Sequence, residues 1–277
     1  MLVLVCLLIF ISLALLLFIC LPDKKCIRLS DKTKENLVFT SFGDNHNIEK
    51  FWNSRPQQKS FDILGVYYGD RVDPPVGKET FSKMYKRKGG KFQNFCYFYN
   101  HYPDIFKKYK YVAIWDDDII IDTIQINEMF RIMKEYGLTI GMPSFSEKGK
   151  ISHWITKHKP GRLLTFTNFI EMNVPIFDRS VLPMLTRQMG LTVCTLTGYG
   201  IDHIYMNLLR DKKYRFAVVH GIVCINPNDC QKNDKKREID KLQPTHERKK
   251  AYEEIKRNTG IRDIQFVEYE TIYRRRH

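Results

Sequence analysis

Acidic residues are in short supply: 31 Asp and Glu stand against 45 Lys and Arg, for a formal net charge of +14. A chain this basic suits an anionic partner, whether nucleic acid, a membrane surface or an anionic substrate. Nucleic acid lacks its usual signs. There is no aromatic-interleaved RNA motif, zinc finger or basic zipper, so no specific nucleic-acid partner is expected. Cysteine is sparse as well. Seven occur, and the five beyond residue 21 (Cys26, Cys96, Cys194, Cys224 and Cys230) form no disulfide framework. Cys224 and Cys230 have no second pair, which excludes structural zinc. No Asn-x-Ser/Thr glycosylation acceptor occurs. Residues 2–21 lack any charged side chain. That is about the length a helix needs to cross a bilayer. A basic start and a small-residue cleavage site are also missing, so the stretch reads as an uncleaved single-pass membrane anchor rather than a signal peptide. Lys24, Lys25, Arg28, Lys32 and Lys34 follow it, and the positive-inside rule then places the remainder in the cytosol.

What is present is a globular composition, 43% hydrophobic and 13% aromatic in 277 residues. That is ample for one α/β domain with a substantial core. Val112, Ala113 and Ile114 read as a strand buried on both faces. It runs through Trp115 directly into Asp116, Asp117 and Asp118. Three acids inside a buried strand would be costly; at its carboxyl end they lie where an open α/β sheet gathers its ligands. In extended backbone Asp116 and Asp118 point the same way. Two such carboxylates can hold a hard cation, Mg²⁺ or Mn²⁺, and through it a diphosphate. The plain alternative is a polar turn whose acids cap the next helix.

Strands are expected over 37–42 and 61–68, each stopping in Gly and Asp, as in the opening βαβ of a nucleotide-binding sheet. Residues 83–91 form a basic, glycine-hinged stretch before an aromatic helix over 92–100. A helix capped by Asp122 or Thr123 runs to Tyr136 and stops at Gly137. Residues 163–177 read as extended, with Glu171 embedded among apolar neighbours and in need of a partner. Trp154, beside Ser152 and His153 in a long polar loop, is either a sugar platform or a pin that fixes the loop. Asp202 opens a helix behind a glycine-bounded turn, where it is either an N-cap or a functional acid. A strand over 214–219 ends at His220. A charged helix over 244–258 and a strand over 261–273 close the chain.

Trp115 to Asp118 after an apolar strand resembles the Asp-x-Asp motif of GT-A-type glycosyltransferases. The chain is more closely similar to the domain-of-unknown-function 707 family. The ordered matches are Lys91-Phe92 with Tyr102-Pro103-Asp104, Tyr111 to Asp118, Gly137 to Pro143, Ser152 to Thr156, and Phe169 to Met172 with Pro175 to Phe177. They continue with Gly200-Ile201-Asp202 and Val219-His220. The resemblance implies an α/β fold with a GT-A-like mixed central sheet flanked by helices, of the nucleotide-diphospho-sugar transferase kind, here behind an N-terminal transmembrane helix. The segments would be an anchor (1–21), a stem (22–36), a catalytic domain (37–230) and a charged extension (231–277).

It further implies a nucleotide-sugar donor, Mn²⁺ or Mg²⁺, and a glycan, lipid or protein acceptor. Asp116, Asp118 and His220 would hold the metal. Thr40, Ser41 and Asp70 would meet the base or ribose, and Lys91, with Asp116, the donor phosphates. Glu171 would face the acceptor, and Asp202 would be the base if the reaction inverts the anomeric centre. Single-anchor transferases commonly face the Golgi or ER lumen, against the charge rule above. Two rival functions use the same residues: a metal-dependent hydrolase or nucleotidyltransferase, and a non-catalytic membrane-tethered binding protein.

Overall fold

The computed structural model describes residues 34–77, 79–192, 198–211, 215–228 and 243–274. The chain begins as a parallel sheet. β1 (Asn36–Phe42), β2 (Phe61–Tyr67) and β4 (Tyr111–Asp116) are almost wholly buried runs. That is what a strand covered on both faces requires. β1 pairs in parallel with β2 on one side and β4 on the other, and β3 (Lys83–Lys86) adds to β2. β7 (Ile176–Asp178) then enters antiparallel between β4 and β5 (Ile140–Phe145). β8 (Phe216–Cys224) is parallel to β5, and β6 (Arg162–Thr167) and β9 (Glu268–Tyr273) follow antiparallel. The result is one mixed sheet in the order β3-β2-β1-β4-β7-β5-β8-β6-β9.

Six helices dress the sheet among the described residues: α1 (Lys91–His101), α2 (Asp104–Lys107), α3 (Thr123–Glu135), α4 (Leu182–Thr192), α5 (Ile201–Leu208) and α6 (Thr245–Thr259). α1 covers one face, where Phe95 packs edge-on against Phe39 at 5.2 Å. Asp116 lies on this face too, because it pairs with Ser41, two residues beyond Phe39. The opposite face is closed by Trp52 against Trp115 and by α3, whose Phe130 meets Phe61. Asp122 caps α3 by accepting from the Gln125 N–H, and Gln125 returns a bond to the Asp122 N–H, a reciprocal capping box.

The expected fold class is corrected on one point. No helix among the described residues is long and apolar enough to cross a membrane. The longest, α6, has 15 residues and is strongly charged. The stretch 2–21, to which a transmembrane helix was assigned, lies outside the described residues. Three local expectations also change. The basic stretch 83–91 contains the edge strand β3. The segment 163–177 is two strands, β6 and β7, with Glu171 in the turn-rich connection between them. β8 does not stop at His220 but continues to Cys224 through a register shift opposite Pro143 and Ser144.

Candidate active site

β1 sends its successor β2 to one side of the sheet, while β4 lies on the other. The carboxyl ends of β1 and β4 therefore flank the switch point where an open sheet leaves a crevice. Asp116 is the last residue of β4, and the chain turns immediately, with the Ile119 N–H 3.5 Å from the Asp116 carbonyl. The alternation argument for Asp116 and Asp118 thus fails, and a tight turn carries the three acids instead. Asp117 accepts from the Gly43 N–H at 2.9 Å. Asn47 binds this turn twice, its N–H donating to the Asp117 carbonyl and its side-chain amide to the Asp118 carbonyl. The acid turn is thereby tied to the end of β1, and all three side chains stay part-exposed.

Lys91 opens α1 and is buried. Its ammonium sits 2.9 Å from Asp116 Oδ1, 2.5 Å from the Met172 carbonyl and 3.0 Å from the Asn173 carbonyl. An ammonium has three N–H donors, so this set engages all of them. The resemblance implied that Lys91 meets a donor phosphate; in the structure its ammonium faces Asp116 and the two carbonyls. The same connection binds β4 directly, the Asp116 N–H donating to the Asn173 carbonyl at 3.0 Å.

Glu171 and Asp202 line one cavity of about 450 Å³, with Ser152, His153, Met172, Asn173, Tyr199 and Tyr252 among its walls. Gly198 and Gly200 both have positive φ, +101° and +76°, which shapes the turn that feeds Asp202 into α5. Asp202 sits beyond the N-cap residue Gly200 and accepts from the His203 N–H at 3.0 Å. Both carboxyls are buried. Burial pushes the Glu171 carboxyl up to about 8, helped by the nearby charges of Asp202 and Asp116 and opposed by the Thr156 and Ser152 hydroxyls. Burial also raises Asp202, while His203 and His153 pull it back. His153 is itself lowered, first by burial. At neutral pH the pocket therefore holds a protonated acid beside a second carboxyl whose basicity is enhanced.

The remaining expected site residues lie elsewhere. Thr40 is fully buried and its hydroxyl donates to the Trp115 carbonyl at 2.9 Å. Ser41 is buried and accepts from the Asn94 amide at 2.9 Å. Asp70 is almost fully exposed and pairs with Lys88. His220 is fully buried in the irregular part of β8, where Nδ1 accepts from the Lys159 N–H at 3.2 Å. Burial and the nearby Lys159 and Arg162 lower it to about 4. Among the described residues no three His, Cys, Asp or Glu gather in a metal-binding group, so Asp116, Asp118 and His220 do not assemble as a triad. The reason is the continuation of β8: a strand-end histidine was expected, and an interior one is found.

Sequence reasoning passed over Arg248 and Tyr252. They bury against the cavity from α6. Their spacing of four on an otherwise charged helix was the available signal.

Residues 30–165, nearly half of the chain, match the family described as "Protein of unknown function (DUF707)". No curated protein matches the sequence. The solved structures to which the chain is similar include the following two. One is the mannosyltransferase PcManGT from Pyrobaculum calidifontis, in complex with GDP-Man and Mn²⁺, at 10% identity and a TM-score of 0.46. That likeness covers 74% of this chain, which spans only 60% of the mannosyltransferase. The other is residues 1–349 of TarS from S. aureus, at 12% identity and a TM-score of 0.48, covering 82% of this chain and 74% of that one.

Proposed function

We propose that the chain is a glycosyltransferase that takes a sugar from a nucleotide-sugar donor with a divalent cation held by Asp116 and Asp118. One observation carries this reading. The segment 171–173 presents Glu171 to the cavity and, through two carbonyls, fixes the ammonium that holds Asp116. A carboxylate-rich strand end suited to a diphosphate thus adjoins a pocket suited to proton transfer.

The donor set fits the ion: part-exposed carboxylates on a turn held by Gly43 and Asn47 are hard oxygen ligands, right for Mn²⁺ or Mg²⁺. When bound, the cation would supply Lewis-acid neutralisation of the leaving diphosphate. Lys91 orients Asp116 and offsets its charge. Asp202 takes the proton of the acceptor hydroxyl, a role its raised basicity suits. Glu171, protonated at neutral pH, donates a hydrogen bond that orients the acceptor. His220 takes no part.

The test is the melting temperature of the full chain against nucleotide sugars, each with and without Mn²⁺, since a ligand of the folded state raises it. A shift that needs both metal and one nucleotide supports the donor site. A well-folded chain that shifts with no pair refutes it.

A further inference from the structure

The chain has three tryptophans. Trp52 and Trp115 are fully buried, whereas Trp154 is 56% exposed. It starts the 3₁₀ turn Trp154–Thr156, directly after the cavity residue His153. The Thr156 hydroxyl at the other end of this turn bonds the His153 carbonyl at 2.9 Å and Glu171 Oε2 at 3.1 Å. One short turn therefore fixes the buried carboxyl and displays the indole. The indole is also braced. Phe266 lies 6.4 Å away by ring centroids, and Lys159 Nζ stands 5.1 Å from the ring centroid, itself anchored by Glu268. On the cavity wall, Tyr199 is 37% exposed and meets Tyr252 edge-on. A braced aromatic face one residue along the chain from the cavity-lining His153 offers the two halves of carbohydrate recognition: a flat surface for the C–H face of a pyranose, and polar groups nearby for its hydroxyls.

We propose that Trp154 is the platform of a second sugar subsite, and that the acceptor is an oligosaccharide rather than a single sugar. This rests on the transferase reading above. The sugar that receives the transfer lies in the cavity beside Glu171 and Asp202. The next sugar along the acceptor stacks on Trp154. A lipid acceptor is the rival use of an exposed indole, but a ring overlain by the Lys159 ammonium favours a polar ligand.

Because the other two tryptophans are buried, Trp154 reports on its own subsite. The experiment follows tryptophan emission and acrylamide quenching of the full chain during titration. The probes are methyl glycosides of glucose, galactose and mannose, the matching β-1,4- or α-1,2-linked di- and trisaccharides, and dodecyl maltoside below its micellar concentration. In parallel, the wild-type chain is assayed for the Mn²⁺-dependent nucleotide-sugar shift. The expected result is that one oligosaccharide series protects the emission from quenching and binds at least tenfold tighter than its monosaccharide. Trp154→Ala should erase that tenfold gain, read by calorimetry with the far-UV spectrum unchanged, and Trp154→Phe should keep part of it. An unperturbed indole in every sugar series, with the donor shift intact, overturns the subsite and leaves the transferase standing. Equal affinity for one sugar and three also overturns it, as does a response to the detergent's alkyl chain alone. Loss of the donor shift with sugar binding retained would instead refute the transferase reading and leave a sugar-binding site.

Discussion

Lys91 Nζ lies 2.9 Å from Asp116 Oδ1, joining the first residue of α1 to the last residue of β4. The lysine side chain is 6% exposed and the aspartate 36%, so the ammonium is in the protein and the carboxylate faces the crevice. Lys91→Met removes the charge and strands the Met172 carbonyl, while the Asn173 carbonyl loses one of two donors and keeps the Asp116 N–H. Because Asp116 keeps access to water, most of the loss comes from the Met172 carbonyl. The expected destabilisation is about 1–3 kcal/mol, measured as a lower urea midpoint at unchanged m. A loss under about 0.5 kcal/mol would mean that water replaces the ammonium.

The three acids at the end of β4 are expected to behave differently. Asp116→Asn and Asp118→Asn should each abolish the Mn²⁺-dependent nucleotide-sugar shift, because an amide is a poor replacement for a carboxylate on a hard cation. Asp117 has another task, accepting from the Gly43 N–H. Asp117→Ala should cost about 1 kcal/mol of stability and keep the metal-dependent shift. If all three substitutions cost stability alone, the turn is structural and the metal proposal fails.

Two buried groups should tilt the stability profile in opposite directions. Glu171 has a folded value of about 8 against an ordinary 4.5. The folded state holds a proton that the unfolded chain has released, so this contribution is full below 4.5 and is lost as pH rises through 8. His220 has a folded value of about 4 against 6.5. Its contribution is full above 6.5 and is lost as pH falls through 4. Each group contributes at most about 1.4 kcal/mol per pH unit. Between 4.5 and 6.5 the two slopes oppose each other in the wild type. Glu171→Gln should remove the decline between 6.5 and 8, and His220→Gln should expose a decline beginning near 4.5. Urea unfolding at pH 5, 6.5 and 8 reads both; parallel wild-type and variant profiles would refute the assignments.

The strand bearing the acids was legible because hydrophobicity and charge change abruptly between Ile114 and Asp116, and nothing but a strand end satisfies both. The α3 boundaries were legible for a similar local reason: Asp122 and Gly137 are a cap and a stop. What was not legible depends on pairing between distant segments. β3 is a short edge strand written in lysines, and only its register with β2 defines it. His220 looked terminal because Gly221 follows it, yet the ladder with β5 resumes beyond the shift, at Val223. The resemblance implied a donor-phosphate role for Lys91. Saturation of its ammonium by Asp116 and two carbonyls was not implied, since backbone acceptors leave no mark in a sequence. The α6 wall of the cavity was hidden by its charge, although Arg248 and Tyr252 were correctly spaced to share a face.

That wall rests on one glycine. Gly200 has φ +76°, and a Cβ placed there would lie 2.4 Å from the Tyr252 ring. Gly200→Ala therefore meets two separate costs. Left-handed backbone costs a non-glycine residue about 1–2 kcal/mol, and the ring must move. Tyr252 is held by its hydroxyl, which donates to Asp263 at 2.8 Å, so movement breaks a bond as well as a contact. The expected total is about 2–4 kcal/mol. A double-mutant cycle separates the terms. On a Tyr252→Ala background the steric part disappears, and Gly200→Ala should cost only the backbone part. A double mutant that loses less than the sum of the single mutants by about 1 kcal/mol or more would place α6 firmly against the turn that carries Asp202. Additive costs would mean that the ring swings away freely, and that α6 is not a fixed wall of the cavity.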